Sequence, residues 1–153
     1  MYYFTMLFLT LFSILGCSNI SQIETSSKII YTSPVKSNLL KTLDFKGKEL
    51  VAVPIRKHWY YVHKSGKKIR TLTYDNGPDK FKDGLARTRY RGKIGFFNRN
   101  LEMILKPVYD FAFPFYKGKA EICTGCKELQ EGEQSMLDGG EWKKIDREGL
   151  IIE

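Results

Sequence analysis

The apolar positions of this chain fall in short runs broken by polar turns. Trp59-Tyr-Tyr-Val-His63, Ile94-Gly-Phe-Phe-Asn98 and Trp142-Lys-Lys-Ile-Asp146 are stretches of strand length. Each is followed by a polar turn: Lys64-Ser-Gly66-Lys, Arg99-Asn-Leu101-Glu or Arg147-Glu-Gly149-Leu. Beyond the first two turns come the aliphatic runs Lys68-Ile-Arg-Thr-Leu-Thr-Tyr-Asp75 and Met103-Ile-Leu-Lys-Pro-Val-Tyr-Asp110. Two short strands joined by a polar turn predict a β-hairpin, and no window carries a helical period. The predicted class is all-β, with short antiparallel hairpin repeats stacked into a small domain. One hairpin is marginal alone and buries its apolar face only against a neighbour.

The runs belong to a longer self-similarity, which signals a repeat architecture. Phe81-Lys-Asp-Gly84-Leu-Ala86 and Phe115-Tyr-Lys-Gly118-Lys-Ala120 are two copies of Phe-x-x-Gly-x-Ala, 34 residues apart (81 to 115). Gly84 and Gly118 each precede a strand, the usual place for a positive φ or a bulge. The aliphatic runs repeat at 35 residues (68 to 103), so the odd residue falls in the connection Asn76-Gly-Pro-Asp-Lys80. A loop containing Asn-Gly-Pro is where an insertion is tolerated.

The combined pattern resembles the bacterial WG (KWG) repeat: Phe-x-x-Gly-x-Ala, a lysine-led aromatic strand at 93–97, then Lys106-Pro-Val-Tyr-Asp110. The resemblance covers residues 59–152, about two full units and a truncated third. The signature dipeptide is degenerate: Trp59-Tyr60 and Trp142-Lys143 keep only Trp, and Ile94-Gly95 only Gly. The resemblance implies a non-catalytic β-repeat module, commonly associated with the cell envelope.

The first 16 residues hold no charged side chain and are too short for a spanning helix, which needs ~20. They suit the hydrophobic region of a secretory signal, although no Lys or Arg precedes the apolar run. Ile14-Leu-Gly-Cys17 resembles the lipobox of bacterial lipoproteins. That resemblance implies diacylglycerol on the Cys17 thiol, cleavage after Gly16 and acylation of the new amino terminus. Ser18 resembles the outer-membrane sorting pattern, so the expected address is the envelope, lipid-anchored, at the outer membrane facing the periplasm. The expected division is a signal peptide at 1–16, a lipidated flexible tether at 17–43 and a repeat domain at 44–153. Ile29-Ile-Tyr31 is the one part of the tether expected to be able to pair as an edge strand. The repeat domain is expected to open at the turn signal Phe45-Lys-Gly47-Lys, followed by the β-prone run Glu49-Leu-Val-Ala-Val53, stopped by Pro54.

The net charge of +8, from 25 Lys+Arg against 17 Asp+Glu, lies entirely beyond that leader. It favours a solvated basic surface or attraction to anionic partners. Arg87, Arg89 and Arg91 recur at every second residue, which places them on one strand face as a solvated row or an anion-binding ladder. Nucleic acid does not suit an exported address, whereas acidic envelope polymer or lipid headgroups do.

Cys123-Thr-Gly-Cys126 fits three chemistries. A structural disulfide suits an oxidising compartment. A redox dithiol needs a lowered thiolate pKa. A metal site needs further ligands such as His58, His63 or Glu133. His58 and His63, five apart, are expected on opposite faces or at strand ends. No catalytic triad, paired-carboxylate spacing, phosphate loop, small-molecule substrate or cofactor is recognisable. The expected function is therefore a non-enzymatic envelope lipoprotein, held to the membrane through Cys17, that binds or scaffolds a protein or an anionic envelope partner. The alternative is a small thiol-redox or metal-handling protein using Cys123 and Cys126.

Overall fold

The computed structural model describes residues 31–131 and 134–152. The expected signal peptide, Cys17 and the first part of the tether lie outside the described residues. The chain runs through β1 (Ser33–Pro34), α1 (Ser37–Thr42), β2 (Leu50–Ile55), β3 (His58–His63) and β4 (Lys67–Arg70). A small hairpin follows, β5 (Thr73–Tyr74) and β6 (Gly77–Pro78), then β7 (Leu85–Tyr90), β8 (Lys93–Asn98) and β9 (Met103–Tyr109). The last part holds β10 (Phe111–Ala112), β11 (Ala120–Thr124), β12 (Lys127–Glu131), β13 (Gln134–Asp138) and β14 (Glu141–Ile145). The fold is all-β, in several small antiparallel sheets.

Three antiparallel units repeat along the chain: β2-β3-β4, β7-β8-β9, and β11-β14 closed by an isolated bridge from Ile145 to Ile151. The middle unit is packed on both faces. Tyr61, Ile69, Ala86, Phe97 and Leu101 form one core cluster, between the first and second units. Leu85, Ile94, Phe96, Leu105, Phe115, Ala120, Ile122 and Ile145 form the other, between the second and third. Consecutive residues of β8 therefore alternate between two cores, and Ile94, Gly95, Phe96 and Phe97 are all buried. The repeated phenylalanines fill equivalent joints. Phe81 packs on Tyr61 and Phe97, with ring centroids 4.7 and 5.6 Å away, and Phe115 packs on Phe96 at 4.8 Å.

The Phe-x-x-Gly-x-Ala phrase is a tight turn in both copies. Asp83-Gly84 has φ of 49° and 83°, and Lys117-Gly118 has 52° and 78°. Positive φ at both central positions is the type I′ arrangement that matches strand twist. In the second copy the Lys119 N–H donates to the Tyr116 carbonyl, and the Tyr116 N–H back to Lys119. The hairpin turns repeat as well. Asn98 Oδ1 accepts the N–H groups of Asn100 and Glu102, and Asp146 Oδ1 those of Glu148 and Leu150. His63 stands at the corresponding place, its Nδ1 accepting from the Ser65 N–H.

Gly95, the retained glycine of the signature dipeptide, has a specific steric task. Ile94 pairs with Tyr109 while Phe96 pairs with Leu105, so β9 bulges outward opposite Gly95. A Cβ there would sit 2.6 Å from the Leu105 carbonyl oxygen and 2.7 Å from the Pro107 nitrogen. Pro107, which has no N–H to leave unpaired, occupies the bulge. In the first unit Tyr60 pairs one-to-one with Arg70, without a bulge, and a large side chain is tolerated.

Three boundaries differ from the sequence expectation. Residues 31–43 belong to the fold rather than to a tether. Ser33 and Pro34 pair with Lys68 and Lys67, Tyr31 meets Tyr90 edge-on at 5.3 Å, and 37–42 form a short helix. β2 continues through Pro54, which pairs with Trp59, because β2 is the sheet edge and a missing N–H there breaks no ladder. The run expected to match β9 is split after Arg70, since Asp75 and Asn76, at φ of 47° and 58°, fold the chain back on itself.

Candidate functional site

The three arginines singled out on β7 have three different environments. Arg87 is buried, at 5% exposure, against Asp79 at 2%. Its Nε and Nη2 donate to the two carboxylate oxygens of Asp79 at 3.0 and 2.7 Å, and Nη1 donates to the Ala112 carbonyl at 2.8 Å. The Arg87 N–H also donates to Asp79 Oδ2. Tyr61 donates its hydroxyl to the Asp79 carbonyl, and Thr71 donates its own to the Arg87 carbonyl. Burial raises the Tyr61 pKa above its ordinary value; Asp79 adds to that and Arg99 opposes it. Arg87 is thus committed to an internal pair and removed from any solvent-facing ladder. The face expected to be solvated is covered by the next repeat. Arg89 is half-buried, and Arg91 lies in the β7–β8 turn at φ 50°, exposed beside Tyr90.

Cys123 and Cys126 are joined as a disulfide. Cys123 is fully buried and Cys126 is 7% exposed. The pair closes the turn that leads from β11 into the inserted β12–β13 hairpin. Asp110 holds this turn from below: its Oδ2 accepts the Gly125 N–H at 2.7 Å, and its Oδ1 pairs with Lys93. The Lys93 hydrogen bond, and then the Gly125 N–H, lower the Asp110 pKa below the usual carboxylate value. Gly140 closes over the disulfide so tightly that a Cβ would lie 2.6 Å from Cys123 Sγ.

Two features escaped the sequence reading. The first is a cluster of rings on the outer face of the last sheet. Phe111, Cys123 and Trp142 lie in one cross-strand row. Phe113 and Trp142 are exposed, and the centroid distances are 5.1 Å for Phe111–Phe113, 6.1 Å for Phe111–Trp142 and 6.0 Å for Phe113–Trp142. The alternation Phe111-Ala-Phe113, with a buried alanine between two rings, was the signal for that shared face. The second is a basic cleft of about 620 Å³ beside the first unit, where Lys36, Arg56, Lys57 and Lys68 meet Ile55 and Tyr60. His58 also lines it, whereas His63 sits at the far end of β3, 3.7 Å from Glu49. Among the described residues, no group of three or more His, Cys, Asp or Glu side chains is placed to hold a metal ion.

The comparisons with known proteins meet the structure at its middle. No curated protein and no solved structure matches the chain. A family model described as WG containing repeat matches residues 94–125, the segment from β8 to the turn between the two cysteines. The bulge opposite Gly95 and the Lys117-Gly118 turn both fall inside that match, and the chain is therefore a WG-repeat-containing protein.

Proposed function

We propose that this protein is a non-enzymatic binding module of the bacterial cell envelope, lipid-anchored through Cys17, whose repeats present a surface to a protein partner. The observation that carries the reading is the ring cluster Phe111–Phe113–Trp142, of which Phe113 and Trp142 are exposed. Contiguous exposed apolar surface on a folded domain marks interaction sites, and aromatic side chains dominate interface energetics. The inserted hairpin that starts beside it shows a second apolar pair, since Leu129 faces Met136 across the strands and both are exposed. The buried state of Cys123 and Cys126 supports a structural staple over a redox or metal-handling role.

Site-specific photo-crosslinking at Phe113 in cells, compared with the same probe at the exposed Arg91, tests the surface. The expected result is one discrete adduct from position 113 that disappears in Trp142→Ser. Adducts that are identical from both positions would remove the assignment. For the anchor, Cys17→Ser is expected to abolish lipid labelling and leave the precursor uncleaved; a variant that still partitions into detergent like the wild type would refute it.

A further inference from the structure

We propose that the cleft beside the Arg56-Lys57 turn binds a phosphate-bearing group carrying more than one negative charge. This deepens the binding-module reading by naming the chemistry of an anionic partner, and rests on that reading only in treating the domain as a binder. The cleft has the volume of an ordinary small-molecule site. Three separate chain segments bring cations to it: Lys36 before α1, Arg56 and Lys57 in the β2–β3 turn, and Lys68 on β4. Among the described residues no carboxylate lines it. Among the described residues none of these four cations is in an ion pair, whereas Lys64, Arg87, Lys93 and Lys143 each face a carboxylate.

The cations are also positioned. Lys68 donates to the Pro34 carbonyl at 2.9 Å and lies 5.7 Å from the centre of the Tyr60 ring. Arg56 holds φ at 56°, a left-handed conformation that asparagine also adopts readily. An arginine fork takes two oxygens of a phosphate and lysines add point charges, while one carboxylate would leave most of this lining unmatched. Leu39, Ile55 and Tyr60 provide the apolar wall for the carbon skeleton of an ester. An anionic lipid headgroup and a soluble phosphate ester share this chemistry.

The test uses the full chain in neutral detergent. One arm titrates inorganic pyrophosphate, and the other adds phosphatidic acid to the phosphatidylcholine-doped micelles used as reference. Saturable binding is expected in at least one arm, and that arm identifies the source as soluble or lipid. It is expected to weaken at least tenfold in Arg56→Asn/Lys57→Ser, where asparagine tolerates the turn, and in Lys36→Ser from the opposite wall. Arg91→Ser/Lys106→Ser removes as much charge elsewhere and should bind like the wild type. Absence of saturable binding in both arms, or an equal loss in the charge-matched control, would overturn the proposal. Either result leaves the ring-cluster crosslinking experiment standing.

Discussion

Arg87 and Asp79 form a buried two-point ion pair that ties together all three repeats. Asp79 sits in the connection after the first unit, Arg87 on the first strand of the second, and the Ala112 carbonyl that takes the remaining guanidinium N–H leads into the third. Every polar atom of the pair has a partner, which is the condition under which a buried ion pair can be tolerated. Removing one member leaves an unpaired buried charge, and such losses cost about 3–5 kcal/mol. Asp79→Ala and Arg87→Met are each expected to lower stability by that order in urea unfolding. The double variant Asp79→Ala/Arg87→Met should be less destabilised than the two single losses added together. A single variant within about 1 kcal/mol of wild type would show that the pair does not hold the repeats together.

Gly95 and Gly118 predict losses of different size from the same substitution. Alanine at Gly118 meets nothing within 4 Å, and its penalty is the left-handed backbone alone, about 1–2 kcal/mol. Alanine at Gly95 meets the backbone of the β9 bulge, which cannot move aside as a flexible side chain would. Gly95→Ala is expected to cost more than about 3 kcal/mol, beyond ordinary overpacking. Thermal unfolding of the two variants side by side checks the order. A milder Gly95 variant would mean that the bulge relaxes.

These contrasts show what the sequence could and could not carry. The class and the repeat phase were legible because strand-length runs, Asp83-Gly84 and Lys117-Gly118 act over a few residues. The fate of Arg87 was not: alternation places it on a face, but whether that face meets water depends on Ala112, 25 residues away. The pairing of residues 31–43 was not legible for a related reason. Two paired residues and a six-residue helix with no buried side chain leave no hydrophobic period to detect. The basic cleft joins Lys36 to Arg56 and Lys68, segments brought together by the pairing of β4 with β1 on one side and β3 on the other.

The Asp110–Lys93 pair makes a pH prediction. The folded-state pKa of Asp110 lies below its ordinary value of 3.8, so the unfolded chain takes up the proton first as pH falls. The stabilisation is present above that ordinary value and is lost as pH drops toward the lowered folded value. Wild-type protein should lose thermal stability between about pH 5 and pH 3. Asp110→Asn should start lower at pH 5 and show a shallower decline, because this contribution is already missing. The effect is expected to be modest, since Lys93 is partly exposed and solvent screens the pair. Parallel pH profiles for the two proteins would count against it.

The disulfide separates the structural reading of the cysteines from the redox one. Cys123 and Cys126 close a loop with only Thr124 and Gly125 between them, so the chain-entropy contribution is about 2 kcal/mol. Cys123→Ala/Cys126→Ala is expected to lose about that much stability. Increased proteolysis should be confined to the inserted hairpin, which hangs from this turn, while the joint between the first two units keeps its own buried cluster. Reaction as an oxidoreductase requires an attacking thiolate to reach one sulfur. Here Cys123 is fully buried and Gly140 packs over it. Native protein should therefore present neither the Cys123 nor the Cys126 thiol to an aromatic disulfide reagent, and pre-reduced protein should not accelerate insulin reduction above the double-alanine variant. Turnover above that background would mean that the turn opens in solution, and would restore the redox alternative.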